Sequence, residues 1–131
     1  MQFDDLVRQL GAVLRLPNLV PDDTGACAVM FEDLSVSFHP DDTGGFMSIS
    51  MLGQGDADDP ALQETLLKGN FFSDGVGASA LGMTDVGHVA LVQHFGLQEL
   101  SFPAFQQALE LFISAANYWR GELGFPAAAV H

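Results

Sequence analysis

The chain has 131 residues, enough for one domain with a single hydrophobic core. Four basic residues against 17 acidic ones give 4 − 17 = −13, a charge that argues against nucleic acid and against an anionic membrane surface, because both attract cations. Hydrophobic residues make up 48% of the sequence, so we expect a folded protein despite this charge. We find neither a membrane-spanning run nor a secretory signal and only one cysteine, which together indicate a cytoplasmic protein.

The first half of the sequence predicts one helix and three strands. Apolar residues recur every three or four positions over residues 3–15, a pattern typical of an amphipathic helix, and Pro17 ends it. A strand is predicted over residues 26–32, and alternating apolar residues predict strands over 34–39 and 47–51. Short turns between these strands indicate an antiparallel meander.

The second half predicts a helix, two strands and a long final helix. The middle helix begins with a capping aspartate at 58–59, and Gly69 is predicted to end it in a left-handed conformation. Strands are predicted over residues 78–83 and 87–95, and Ser101 caps the last helix.

The predicted order is α-β-β-β-α-β-β-α, which is an α+β fold with an antiparallel sheet and helices on one side. We assign a single domain to residues 1–122 and a flexible C-terminal tail to residues 123–131.

Residues that could carry catalysis or hold a metal do not converge in the sequence. His88 and His94 share a strand face, but six residues at roughly 3.3 Å each place them about 20 Å apart. Cys27 lies in an apolar strand with no predictable base beside it. We therefore predict no catalytic residue, cofactor or metal, and a protein that is not an enzyme.

Apolar residues are in surplus for so small a core. Eleven Phe and five Met leave apolar surface for a partner chain or a second subunit, and flexible thioethers suit varied partners. The middle helix presents leucines that a two-fold dimer would cover, and the last strand is apolar on both faces.

Three features of the second half occur together: Leu-Leu-Lys-Gly-Asn at residues 66–70, Asp85 and Gly87 before an apolar strand, and a final helix whose apolar residues are spaced by three or four. With the order of the elements over residues 3–122, they resemble the class I chaperones of type III secretion systems, the CesT/SycE-like family. The apolar residues of that final helix are Phe105, Leu109, Phe112, Ala116 and Trp119.

The resemblance implies a homodimeric bacterial chaperone that uses no nucleotide. Its client is an extended segment near the N-terminus of a secreted effector, which it keeps soluble and competent for export, and the ATPase of the secretion apparatus is a further implied partner. The client adds a strand to a sheet edge and contacts apolar patches on the first helix and first sheet region. The predicted client contacts are Phe3, Leu6, Val7, Leu10, Val36, Phe38, Met47, Ile49 and Met51. The predicted dimer interface is Leu62, Leu66, Leu67, Leu91 and Val92.

Two other interpretations remain open. A non-chaperone interaction module on the same fold, similar to bacterial sensory-transduction regulator-like domains, predicts no stable complex with an unfolded segment. A small ligand-binding or enzymatic α+β domain predicts an enclosed pocket with converging polar side chains.

Overall fold

A computed structural model of the chain describes residues 1–72 and 78–126. The predicted α+β fold and its element order are confirmed. The elements are α1 (Phe3–Leu14), β1 (Cys27–Phe31), β2 (Leu34–Pro40), β3 (Gly45–Gln54), α2 (Pro60–Phe72), β4 (Ala80–Met83), β5 (His88–Gly96) and α3 (Phe102–Glu122).

The five strands form one antiparallel sheet in the order β1-β2-β3-β5-β4. β1, β2 and β3 are the predicted meander, and the loop that joins β1 to β2 is only two residues long, Glu32 and Asp33. α2 then carries the chain to the far side of the sheet, where β4 and β5 form a hairpin. β1 and β4 are therefore the two edges of the sheet.

All three helices pack on one face of the sheet, which we call the inner face. Phe46 of β3 lies at its centre, with ring centroids 5.5 Å from Phe3 of α1 and 5.7 Å from Phe105 of α3. α2 packs beside β4, where its Leu66 joins the same core. The opposite face, the outer face, carries no helix from the part of the chain described.

Local capping fixes where α1 and α3 end or begin. Arg15 follows α1 in the left-handed conformation and donates its backbone N–H to Ala12 and Gly11 carbonyls. Ser101 precedes α3, and its hydroxyl accepts a hydrogen bond from the N–H of Ala104. The Ser101 cap agrees with the sequence pattern, whereas α1 ends at Leu14, through the left-handed Arg15 and before Pro17.

The prediction that Gly69 ends the middle helix is wrong. α2 continues to Phe72, and Gly69 is not among the residues with positive φ. Gly69 is buried against Trp119 of α3, so its missing side chain serves helix packing instead of a helix end.

The C-terminal segment packs further than expected. Leu123 and Phe125, within the predicted tail, lie against the core, and the ring of Phe125 covers Gly53 of β3. The remainder of that tail, residues 127–131, lies outside the described residues. Across the two described ranges, no helix combines the length and apolar character needed to cross a bilayer.

Candidate functional site

The middle of the third strand, between the buried Phe46 and Leu52, has its polarity reversed. Ser48 and Ser50 are wholly buried on the inner face, whereas Met47 and Met51 are exposed on the outer face beside a half-buried Ile49. A strand with one dry face normally directs its apolar side chains inward. β3 therefore exposes three large apolar side chains that the fold of a single chain does not cover.

Core packing explains the two buried serines. The rings of Phe38, Phe46 and Phe105 lie within 6.1 Å of each other, centroid to centroid, and fill the space in front of the sheet. Small residues suit the neighbouring positions on β3, and the Ser50 hydroxyl donates to the Ser35 carbonyl at 2.9 Å. The outward methionines are thus a consequence of an inner face that aromatic rings already occupy.

The outer face extends across the sheet, and the polar Ser35, Ser37 and His39 of β2 separate Met30 of β1 from the apolar side chains of β3. Met30 of β1 and Met51 of β3 are each about half exposed, at 50% and 49%. No Asp, Glu, Lys or Arg lies on it within the described strands. Its residues are Ala28, Met30, Ser35, Ser37, His39, Gly45, Met47, Ile49, Met51, Gln54, Ala80, Gly82, His88, Ala90, Val92, His94 and Gly96.

One end of the outer face carries a row of two histidines around a methionine. Met47 pairs with His39 on one side and with His94 on the other. His94 Nε2 lies 2.6 Å from Asp41 Oδ2 in the β2–β3 turn. The hydroxyl and N–H of Thr43 donate to the other oxygen of Asp41, and these bonds, with a smaller contribution from His94, hold the pKa of Asp41 far below its ordinary value.

Carboxylates border the outer face at both ends of the strands. Asp41 and Asp42 occupy the β2–β3 turn, and Glu32, Asp33 and Asp85 occupy the two hairpin turns at the opposite end. Of the four Lys and Arg residues, all within the described part of the chain, only Arg120 is paired with one of these carboxylates. Arg8, Lys68 and Arg120 are already paired with Asp5, Glu64 and Asp33.

The two sheet edges differ in their availability. Phe31 and Leu34 flank the two-residue loop and so form a hydrogen-bonded pair. Hydrogen-bonded and non-hydrogen-bonded pairs alternate along an antiparallel ladder, so Ala28 and Met30 belong to non-hydrogen-bonded pairs with Ser37 and Ser35. The N–H and C=O groups of Ala28 and Met30 therefore point away from β2, toward solvent. At the other edge, the Asn70 amide accepts from the Leu81 N–H at 2.7 Å and donates to the Leu81 carbonyl at 2.8 Å. A side chain of α2 thus occupies β4 where a further strand would bind.

A second exposed apolar surface lies on α2. Leu67 and Phe71, one helical turn apart, are 70% and 81% exposed. Beside them, a groove of about 320 Å³ separates α2 from β4 and is lined by Leu66, Leu81 and Met83 among others.

The client contacts expected from the sequence divide into two groups. Met47, Ile49 and Met51 lie together on the outer face. The other six belong to the chain's own core, because α1 and β2 direct them to the inner face, where a partner does not reach them in the folded chain. These six are Phe3, Leu6, Val7, Leu10, Val36 and Phe38.

The expected dimer residues divide in the same way. Leu66 and Leu91 are buried in the core, whereas Leu67 is exposed on α2. Leu62 is half-buried against the core, and Val92 is half-buried on the outer face. Sequence patterns missed Met30, Phe71 and the open backbone at Ala28, which only the strand order and the helix packing identify.

The described residues hold no group of three or more His, Cys, Asp or Glu side chains that could bind a metal ion. The thiol of Cys27 is buried on β1, and burial raises its pKa, which disfavours the thiolate that a nucleophile needs.

Comparison with known proteins identifies relatives by profile and by fold. The profile of the Tir chaperone protein (CesT) family matches residues 5–120. Among curated proteins, no sequence matches the chain. The similar solved structures share too little sequence to show more than a common fold.

Three of these structures are complexes. The ExsC-ExsE complex matches with a TM-score of 0.76 at 16% identity, covering 92% of this chain and 95% of the other. The HopA1-SchA chaperone-effector complex matches with a TM-score of 0.75 at 21% identity, covering 91% of this chain and 93% of the other. The third structure is the Yersinia pestis type III secretion chaperone SycH in complex with a stable fragment of YscM2. It matches with a TM-score of 0.69 at 17% identity, covering 89% of this chain and 98% of the other.

Proposed function

Because the chain belongs to the Tir chaperone protein (CesT) family, we propose that it is a type III secretion chaperone. It binds an extended segment near the N-terminus of a cognate effector and keeps that effector soluble and competent for export. Two proteins of similar fold support the proposal: HopA1-SchA is a chaperone-effector complex, and SycH is a type III secretion chaperone in complex with a stable fragment of YscM2. The observation that carries it is the reversed polarity in the middle of β3, where Ser48 and Ser50 are buried and Met47 and Met51 are exposed.

Client binding on the outer face needs no nucleotide. Covering apolar surface contributes roughly 25 cal/mol per Å², and an unfolded client offers apolar side chains without first losing a fold of its own, although ordering it costs several kcal/mol. Met30, Met47 and Met51 are unbranched and flexible, so this surface adapts to side chains of different shapes. The six buried residues of the expected client set support the sheet from beneath.

The client also adds a strand at β1. Its backbone would bond to the open N–H and C=O groups of Ala28 and Met30, because Asn70 already occupies the equivalent groups at Leu81 of β4. Alternate side chains of that added strand would then lie on the outer face, next to the methionines. Strand addition and apolar contact are thus two parts of one site.

A second copy of the chain covers α2. Leu67 and Phe71 project from it beside the groove that Leu66, Leu81 and Met83 line, and a two-fold axis would bring two such surfaces together. Leu62 is half-buried on the same helix and Leu91 supports β4 from the core, whereas Val92 lies on the outer face, away from this surface. We place this dimer in the bacterial cytoplasm and propose the secretion ATPase as a later partner, with neither nucleic acid nor membrane bound and no reaction catalysed.

The proposal is tested by co-expressing the chain with candidate secreted proteins and measuring co-elution by size-exclusion chromatography. We expect a stable complex with the cognate protein and its loss in Met51→Asp. Leu111→Asp is the control, since Leu111 is 68% exposed on α3, behind the opposite face of the sheet. Circular dichroism checks that both variants fold. If no candidate co-elutes, or if both variants bind equally well, the proposed site is refuted.

A further inference from the structure

The outer face combines two properties that together specify the chemistry of what covers it. Its centre carries no formally charged side chain over the described strands, and Met30 of β1 and Ile49 and Met51 of β3 lie on either side of Ser35 and Ser37 of β2. Both of its ends are acidic, with Asp42 at one and Glu32 at the other. Arg120 pairs with Asp33 and His94 contacts Asp41, whereas Glu32, Asp42 and Asp85 form no ion pair with the described residues.

The length of the face sets the size of its occupant. β2 spans the distance between the two acidic ends with seven residues, about 23 Å at roughly 3.3 Å per residue. A helix of about 15 residues has the same length at 1.5 Å per residue. Helices are the usual cover for one apolar face of a sheet, whereas an added strand requires an edge.

We infer that the outer face binds an amphipathic helix of the client, about 15 residues long, with Lys or Arg in both its first and its last turn. Its apolar side chains cover the methionines, and its basic ends meet the carboxylates in the turns. This inference rests on the proposed function and adds the charge pattern and conformation of one client segment. The carboxylates at the ends of the outer face repel acidic client segments, so they contribute to specificity as well as to affinity.

Three labelled synthetic peptides of equal length and equal apolar content test this pattern by fluorescence anisotropy. One carries Lys in both end turns, one carries Glu there, and one carries the same number of Lys in the middle of its polar side. We expect the Lys-ended peptide to bind at least about tenfold more tightly than the Glu-ended one and several-fold more tightly than the third, with affinity falling as salt rises from about 0.05 to 0.5 M.

Two triple variants of the full chain separate local from overall charge. Glu32→Gln, Asp42→Asn and Asp85→Asn remove carboxylates beside the outer face, while Asp4→Asn, Glu110→Gln and Glu122→Gln remove three exposed ones from α1 and α3. Each gives −13 + 3 = −10. We expect about a tenfold loss of Lys-ended peptide binding in the first and less than a twofold loss in the second.

Equal binding of all three peptides, equal effects of the two triple variants, or no peptide binding at all would overturn the inference. Co-elution of a full-length secreted protein is measured separately. If that complex forms while the peptides fail to discriminate, the charge pattern is wrong and the chaperone function stands. If no secreted protein co-elutes either, the proposed function fails as well.

Discussion

Gly69 of α2 lies against the indole ring of Trp119 of α3. A Cβ built on Gly69 would stand 2.7 Å from Trp119 Cη2 and 3.1 Å from Leu81 Cδ1, distances at which one of the two elements must move. We expect Gly69→Ala to lower the free energy of unfolding by about 1–3 kcal/mol, because an aromatic ring in a packed core has little room to shift.

Gly121→Ala is the matched control for this substitution. A Cβ at Gly121 meets nothing within 4 Å on α3, so alanine should stabilise the helix by up to about 1 kcal/mol. Urea unfolding of both variants measures the difference. A Gly69→Ala protein as stable as the original chain would show that α2 does not pack on Trp119 as described.

Gly69 also marks the limit of what the sequence can specify. The hairpin between β4 and β5 follows from local chemistry, since Gly87 has φ +91° and donates its N–H to the Thr84 carbonyl. Gly69 gives the same local signal for a helix end, but its role depends on Trp119, a residue 50 positions away. A glycine that permits close packing and a glycine that ends a helix look alike in one sequence.

The client surface was ambiguous for a related reason. Alternation along β3 separates two sets of side chains but does not say which set meets the helices. Phe46 determines which set faces the helices, because its ring packs with those of Phe38 and Phe105 and the serines two and four positions later lie on the same face of the strand. Sequence patterning therefore identified Met47, Ile49 and Met51 as a group, whereas their exposure follows only from the assembled core.

The turn at Asp41 makes stability depend on pH in the acidic range. The pKa of Asp41 is lowered in the folded chain from an ordinary value of 3.8, mainly by the hydroxyl and N–H of Thr43 and also by His94. A lowered folded-state pKa means that the carboxylate stabilises the fold above about pH 3.8, and that this stabilisation is lost as the pH falls through the folded-state pKa.

We therefore expect Asp41→Asn to lower the melting temperature at neutral pH and to approach the original chain as the pH falls toward 2. Asp42→Asn is the control, because Asp42 is a neighbour in the same turn that takes no part in the hydrogen bonds of Asp41. Thermal unfolding followed by circular dichroism across this range measures both. A melting-temperature difference for Asp41→Asn that stays constant from neutral to acidic pH would contradict the assignment.

Leu67 tests the proposed dimer more cleanly than Leu66 does. Leu66 is buried in the core, so an aspartate there would unfold the chain, whereas Leu67 is 70% exposed and its replacement leaves the core intact. We expect Leu67→Asp to convert the dimer to a folded monomer, because a carboxylate in the interface would lose its hydration. Multi-angle light scattering measures the mass, with the equally exposed Leu111→Asp as the control. A Leu67→Asp protein that remains dimeric would place the interface elsewhere.

The open edge of β1 can be closed without changing a side-chain contact in the core. Ala28 is exposed, and its N–H points away from β2, so proline at this position removes a donor that only an added strand would use. We expect Ala28→Pro to fold and dimerise but to bind the effector at least about tenfold more weakly, since a backbone hydrogen bond and the close approach of the added strand are both lost. Ala28→Val keeps the N–H and adds β-propensity, and it should bind normally.

Hydrogen exchange supplies the second measurement: in the complex, the amides of Ala28 and Met30 should become protected while that of Leu81, already bonded to Asn70, should not change. Full binding by Ala28→Pro, or new protection on the outer edge of β4, would mean that the client uses a different edge.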